Sequence, residues 1–146
     1  MFLKAEPADF ASVMELYRQL HPRDAVVPDE RAQAVYDEIL RTPGMHLFVI
    51  EQDGVVIAST YLNLIPNLTR GAAPYGVVEN VIVDAAHRGT GVGKAVMAGT
   101  LQAAWDAGCY KVMLLTGSKR ESTHAYYQAC GFVAGEKTGF VAHPPA

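Results

Sequence analysis

The sequence predicts an α/β (α+β) fold, a mixed and mostly antiparallel sheet of six or seven strands flanked by helices. Three observations lead to this fold class. The Asp-Gly pair at Asp53 and Gly54 joins two β-rich runs and favours a tight hairpin. A hydrophobic run from Tyr75 to Val83 leads through a glycine cluster into a long apolar helix. Near the N-terminus, apolar residues recur with helical period.

The N-terminal half is predicted to place two helices before the hairpin. In chain order, the elements are a strand at Phe2 to Lys4, a helix after Pro7, a helix from about Pro28 to Pro43, and hairpin strands at His46 to Ile50 and Val55 to Ile65. Residues Pro66 to Pro74 lack periodicity and contain turn-forming residues. We therefore predict a surface loop there, which is a candidate for shaping a substrate site.

The C-terminal half continues with alternating strands and helices. After the strand that ends before Asp84, the elements are a helix from about Gly91 to Ala107, a strand at Lys111 to Thr116, a short helix around Ser122 to Ala129, and a final strand or strand pair from Phe132 to Val141. Gly108 stands where a helix C-cap is expected, and Gly131 separates the last helix from the last strand. These elements bring the predicted strand count to six or seven.

Composition favours one domain, over residues 1–146, with a small-molecule partner. The chain has 146 residues, of which 50% are hydrophobic, and this is enough for a single buried core. Its net charge of -3 provides no basic surplus for nucleic acid. Apolar stretches such as Val55 to Ala58 are far shorter than the roughly 18 residues that a membrane helix needs. The N-terminal segment does not resemble a signal peptide, so we expect a cytoplasmic protein.

Neither the cysteines nor the histidines predict a special site. Cys109 and Cys130 are too few for a disulfide framework and do not form a CxxC pair, so we expect reduced structural thiols. The five histidines lack the i, i+4 pairing of a metal-binding helix, and no cysteine cluster accompanies them. We therefore expect no metal.

The segment His87 to Ala95 carries the strongest chemical signal. It reads HRGTGVGKA and joins a hydrophobic strand to a helix. Its glycines let the backbone approach a ligand closely, and the helix start favours an anion. Arg88 and Lys94 add positive charge for a pyrophosphate. A Walker A loop needs four residues between its first glycine and the Gly-Lys pair, whereas Gly89 and Gly93 enclose three.

A dinucleotide-binding fingerprint also fails on spacing, because GxGxxG is required and the chain has GxGxG. The motif that fits consists of Arg or Gln, any two residues, Gly, any one residue, and then Gly or Ala. Its defined positions are occupied by Arg88, Gly91 and Gly93. With ENVIVDAAHRG upstream and AYYQACGF downstream, the C-terminal half resembles the GCN5-related N-acetyltransferase (GNAT) family. The N-terminal half matches that family only in element order. The resemblance implies acetyl-CoA as co-substrate, fourth and fifth strands that splay apart to admit it, and a homodimer as a common assembly.

The resemblance also implies a set of cofactor-binding residues. The backbone of the fourth strand would contact the pantetheine arm, and the glycine loop would hold the pyrophosphate. These residues are Val81, Ile82 and Val83 in the strand, and Arg88, Gly89, Thr90, Gly91, Val92, Gly93 and Lys94 in the loop. The Arg88 side chain is expected to hold the loop as much as to touch the ligand, and Lys94 is equally well explained as a solvated helix charge. Thr123 replaces an Asn that often meets the cofactor arm in relatives, a departure that keeps hydrogen bonding available.

Two side chains are candidates for proton transfer. Tyr127 occupies the tyrosine of YxxxGF, which in many relatives acts as general acid towards the coenzyme A sulfur. Glu79 is the best candidate for a base, directly or through water, because an alkylamine is only about 0.1% neutral at pH 7; a structural carboxylate is the alternative. Strict alternation puts Asn80 on the opposite side of the strand. The backbone N-H of Val81 is the simplest oxyanion donor.

The resulting hypothesis is direct acetyl transfer to a primary amine that the sequence does not identify. Local similarity of GCYKVML, ENV and YQACGF to glucosamine-phosphate N-acetyltransferases makes an amino-sugar phosphate one alternative, with Arg70, Lys119 and Arg120 as candidate phosphate contacts. The other alternative is a non-catalytic acetyl-CoA-binding regulatory module. The presence of both Glu79 and Tyr127 favours the enzyme.

Overall fold

The computed structural model describes residues 1–146 as two compact units, Met1–Leu114 and Leu115–Ala146. The first unit contains, in order, β1 (Phe2–Lys4), α1 (Phe10–Leu20), α2 (Asp29–Arg41), β2 (Met45–Gln52), β3 (Val55–Ile65), β4 (Tyr75–Val83), α3 (Val92–Asp106) and β5 (Val112–Met113). The second unit contains α4 (Glu121–Ala129). The predicted organisation as one domain stays a prediction.

The five strands form one sheet in the order β1-β2-β3-β4-β5. All neighbours are antiparallel except β4 and β5, which run parallel. The turn at Asp53 and Gly54 connects β2 to β3 as predicted, and both residues have positive φ. The mixed, mostly antiparallel α/β sheet is therefore confirmed.

The sheet has a helix layer on each face. Val13 and Leu16 of α1 and Tyr36 of α2 pack in one cluster with strand residues that include Val49 and Ile82. Val96 of α3 packs in the other cluster with Ile50, Ile57 and Ala58. Because Val49 and Ile50 are successive residues of β2, their side chains point to opposite faces. Thus α1 and α2 cover one face of the sheet and α3 covers the other.

The predicted strand count is wrong, because the sheet has five strands rather than six or seven. Residues 132–141 form no strand, and β5 is only two residues long. Strand propensity does not form a strand without a partner for the backbone groups, and no residue of the second unit is in a strand. Val133 and Phe140 are correspondingly exposed, by 74% and 91%.

A β-bulge interrupts β4 at Asn80. Ser59 lies opposite Ile82 and Tyr61 lies opposite Glu79, so β4 has one more residue than β3 in this interval. Asn80 has a φ of 50°, in the left-handed region. Because paired residues share a face, the bulge places Glu79 and Ile82 on the same face, that of α1 and α2.

Pairing between β4 and β5 is confined to Gly76 with Val112 and Val77 with Met113. Beyond Val77, β4 has no strand partner on this side. This is the separation of the fourth and fifth strands that the sequence resemblance implies.

Candidate active site

The glycine loop leads from β4 into α3 with two residues in left-handed backbone conformation. Gly89 has a φ of 75° and Gly91 a φ of 86°. A Cβ atom added at either position would meet no other heavy atom within 4 Å. Both glycines are therefore needed for their backbone conformation rather than for close packing.

Helix α3 begins at Val92, directly after Gly91, and no side chain caps it. The first turn of a helix presents N-H groups that have no partner within the helix and carries the positive end of the helix dipole. Lys94 is exposed on this first turn. The arrangement is suited to an anionic group such as a pyrophosphate.

Asp84 organises the residues between β4 and the loop. Its backbone N-H donates to the Ile57 carbonyl at 2.8 Å, which fixes it to β3. One carboxylate oxygen accepts from the Gln19 amide at 2.9 Å. The other accepts from the Ala86 N-H at 3.2 Å and lies 2.8 Å from His87 Nδ1. These hydrogen bonds, led by the one from Gln19, lower the pKa of Asp84 and keep it charged at neutral pH.

Two side chains of the loop bond back to the protein. Arg88 Nε donates to the Val83 carbonyl at 3.3 Å, and Thr90 Oγ1 donates to the His87 carbonyl at 2.5 Å. Arg88 thus ties the loop to the end of β4, and its predicted contact with the ligand stays a prediction. The remainder of its guanidinium group is exposed to solvent.

The predicted strand residues differ in their surroundings. The Glu79 side chain is exposed, whereas Ile82 is buried with α1 and α2. Val83 packs against the cluster around Val96, on the α3 face. Val81 is half-buried and stands with Asn80 in the bulge.

The prediction that Asn80 points away from Glu79 is wrong, because the bulge breaks the alternation that it assumed. Interactions with Asn80 and Ser59 lower the pKa of the Tyr17 phenol of α1, which places Asn80 next to α1, on the same side of the sheet as Glu79. Burial outweighs these two interactions and raises the pKa of Tyr17 to about 12. Tyr17 is therefore neutral at physiological pH.

Thr123 and Tyr127 lie on α4 in the second unit. The Ser118 hydroxyl donates to Thr123 Oγ1 at 3.0 Å. The ring of Tyr127 makes an edge-to-face contact with Phe132, at 6.0 Å between centroids, and lies 5.0 Å from the ring of Tyr126. Burial raises the pKa of Tyr126, which identifies it as a packing residue. The aromatic contacts hold the helix against the Gly-Phe segment that follows it.

Within the first unit, the structure brings together Glu79, Val81 to Val83, and the loop from Arg88 to Lys94, all on or directly after β4. It also adds Gln19 and Tyr17, which the sequence reasoning missed. An Asp before a short turn is a recognisable capping signal, so the capping role of Asp84 could have been predicted from the sequence. No local pattern links Gln19 to a residue 65 positions away.

No group of three or more His, Cys, Asp or Glu side chains is placed to hold a metal ion. None of the helices combines the length and apolar character needed to cross a membrane. Both cysteines are free thiols. Burial raises the pKa of Cys109, which disfavours the thiolate that a nucleophile would require.

Comparison with known proteins decides the family. Residues 10–132 match the acetyltransferase (GNAT) family. The chain belongs to this family. The match includes the glycine loop and α4, so it spans most of the first unit and part of the second.

Several relatives of this N-acetyltransferase have specific names. The glucosamine 6-phosphate N-acetyltransferase of Trypanosoma brucei brucei is 31% identical over 134 residues, covering 90% of this chain and 88% of the relative. A putative acetyltransferase from Agrobacterium tumefaciens str. C58 has a solved structure that is 41% identical, with a TM-score of 0.94 over 99% of both chains. The solved glucosamine-6-phosphate N-acetyltransferase of Arabidopsis thaliana is 26% identical, with a TM-score of 0.84 over 99% of this chain and 97% of that one. The predicted activity class, acetyl transfer to an amine, is confirmed.

Proposed function

We propose that the protein transfers the acetyl group of acetyl-CoA, the co-substrate of its family, directly to a primary amine of a small molecule. The observation that carries the proposal is the loop from Arg88 to Lys94, which has two left-handed glycines and opens into the first turn of α3. The loop would hold the pyrophosphate, and the side of β4 that has no strand partner, from Val81 to Val83, would hold the pantetheine arm. Thr123 of the second unit is the further candidate contact for that arm.

The fit to the cofactor rests on charge and on open space. The region around Gly89 and Gly91 has room for a ligand, since even a methyl group there would touch nothing. The dipole of a helix of 15 residues favours an anion at its start, by about 0.3–1 kcal/mol for an exposed charge. The exposed Lys94 ammonium adds a cation that makes no ion pair with an acidic side chain.

The proposed chemistry uses three groups of the chain. Acetyl-CoA supplies a thioester whose carbonyl carbon the neutral amine attacks. Glu79 takes the proton from the amine nitrogen, directly or through water. The Val81 N-H stabilises the negative charge that develops on the carbonyl oxygen. As the carbon-sulfur bond breaks, Tyr127 donates a proton to the departing sulfur.

An assay of thiol release from acetyl-CoA with a panel of primary amines tests the function. Tyr127→Phe and Glu79→Gln are each expected to lower kcat by about 100-fold or more, the usual contribution of general acid-base catalysis. Tyr126→Phe and Glu51→Gln are the matched controls. Tyr126→Phe removes a phenol hydroxyl at the neighbouring position, and Glu51→Gln removes a carboxylate at a remote position. Wild-type rates in both test variants would refute the assigned roles. Binding of acetyl-CoA without turnover of any amine would instead support a non-catalytic module.

A second proposal concerns the acceptor, an amino sugar that carries a phosphate. The relative at 31% identity is named glucosamine 6-phosphate N-acetyltransferase, and one at 37% identity over 93 residues is named probable glucosamine 6-phosphate N-acetyltransferase 2. In this chain, the Arg70 guanidinium lies 5.8 Å and the Lys111 ammonium 5.3 Å from the centre of the Tyr110 ring. Neither cation pairs with an acidic side chain. Arg70 also belongs to the loop from Pro66 to Pro74, and other residues of this loop, including Leu68 and Ala72, line an open depression of about 420 Å³.

The acceptor proposal predicts a preference that depends on the phosphate. The value of kcat/KM should be higher for glucosamine 6-phosphate than for glucosamine. Arg70→Gln should lower it for the phosphorylated sugar only, because a phosphate gains most from an arginine. Arg31→Gln, on the exposed surface of α2, is the control. Equal effects of Arg70→Gln on both sugars would contradict phosphate recognition by this residue.

A further inference from the structure

Gln19 forms a two-point contact between α1 and the segment that precedes the glycine loop. Its amide nitrogen donates to Asp84 Oδ1 at 2.9 Å, and its amide oxygen accepts from the Ala85 N-H at 3.0 Å. Gln19 is in the last turn of α1, and the packing of that helix on the sheet fixes its position. The contact therefore fixes the start of the segment relative to the sheet.

The contact continues towards the loop through hydrogen bonds of the segment itself. The second oxygen of Asp84 accepts from Ala86 and contacts His87 Nδ1. The His87 carbonyl in turn accepts from the Thr90 hydroxyl inside the glycine loop. Three successive links thus connect Gln19 to the loop.

We infer that Gln19 is a positioning residue for acetyl-CoA, which holds the glycine loop in its binding conformation before the ligand arrives. The inference rests on the proposed function, because it assigns the loop to the pyrophosphate. A ligand binds more weakly to a loop that adopts the binding conformation only part of the time, in proportion to that fraction. Loss of the contact should therefore weaken acetyl-CoA binding, whereas the groups proposed for proton transfer stay in place.

The chemistry of the contact requires an amide opposite a carboxylate. Only an amide can accept from the Ala85 N-H with its oxygen and donate to Asp84 with its nitrogen. Gln19→Glu has almost the same shape but places a second carboxylate against Asp84. Adding Asp84→Asn reverses the polarity, because the new amide at position 84 can donate to the new carboxylate at position 19. The Ala85 N-H then still has an acceptor.

The test measures the Kd of acetyl-CoA by calorimetry, with KM and kcat alongside. Gln19→Glu should raise Kd and KM by about 10-fold, equivalent to about 1.4 kcal/mol, with kcat at saturation close to wild type. Adding Asp84→Asn should return Kd to within about 3-fold of wild type, a difference of about 0.7 kcal/mol. The matched control is Gln33→Glu, since the Gln33 amide donates to Asp37 at the same 2.9 Å within α2. It should leave Kd unchanged.

Gln19→Met, which retains the side-chain length and removes both hydrogen bonds, provides a second variant should Gln19→Glu fold poorly. Its loss of affinity should not be rescued by Asp84→Asn. Faster amide exchange at Arg88 to Gly91 in both single variants would accompany the expected result. An unchanged Kd in Gln19→Met, or no rescue of Gln19→Glu by Asp84→Asn, would overturn the role of Gln19. Absence of acetyl-CoA binding by the wild-type protein would instead overturn the proposed function.

Discussion

A buried pair of threonine hydroxyls joins α3 to the sheet, and its hydrogen bonds predict unequal effects of two similar substitutions. Thr60 of β3 and Thr100 of α3 are both fully buried, with 2.6 Å between their hydroxyl oxygens. Thr100 donates its single proton to the Val96 carbonyl at 2.7 Å. The proton between the two hydroxyls must therefore come from Thr60.

This order of donors determines how much stability each substitution should cost. In Thr100→Val the Thr60 hydroxyl loses its acceptor inside the core, and the cost to the free energy of unfolding should be about 2 kcal/mol, within the usual 1–3 for a buried unpaired group. In Thr60→Val the Thr100 donor keeps Val96, so the loss should stay below about 1 kcal/mol. The double variant leaves no unpaired donor, and its stability should be close to that of Thr60→Val.

Urea denaturation followed by circular dichroism measures these differences, provided that the dependence on urea concentration is the same in all four proteins. The double-mutant cycle then gives the coupling between the two hydroxyls. A loss in Thr60→Val as large as that in Thr100→Val would refute the donor order. Additive losses in the double variant would refute the hydrogen bond itself.

Three further predictions concern pH and glycine positions. Burial raises the pKa of Tyr17 from 10.0 to about 12. Tyr17 therefore stabilises the folded protein fully below pH 10, and this stabilisation is lost as the pH rises towards 12. Between pH 9 and pH 11, denaturant titrations should show that the free energy of unfolding of wild type falls by about 1.4 kcal/mol relative to that of Tyr17→Phe. Gly91→Ala should lower the free energy of unfolding by about 1 kcal/mol, because alanine is strained at the positive φ of this position. Gly117→Ala should not lower it, since Gly117 lies in equally open space but has no positive φ. A Cβ at Gly99 would lie 2.7 Å from the Phe2 ring. Gly99→Ala should therefore lower the melting temperature, although alanine has the better helix propensity. In a chain that already carries Phe2→Leu, Gly99→Ala should instead raise the melting temperature relative to Phe2→Leu alone.

The loop at Arg88 to Lys94 was accessible to sequence reasoning because its constraint is local. Glycines that adopt positive φ before a helix, and a β-rich run before them, leave a pattern within about twenty residues. The hairpin at Asp53 and Gly54 was predictable for the same reason. The C-terminal run from Phe132 to Val141 was not, since whether such a run becomes a strand depends on a partner that its own sequence does not specify.

By itself, the sequence determined the fold class and the place of the glycine loop, since both follow from short-range patterns of apolar residues and glycines, and its motifs revealed the resemblance to the family. The tertiary structure decided the strand register and the contacts between distant elements, which such local patterns do not specify. It placed the bulge at Asn80, which moves Ile82 onto the face of Glu79, and it brought Gln19 of α1 to Asp84. Both outcomes depend on register and on packing between elements distant in sequence. Only the folded chain fixes these relations, because a one-residue change of register reverses the face on which a side chain lies.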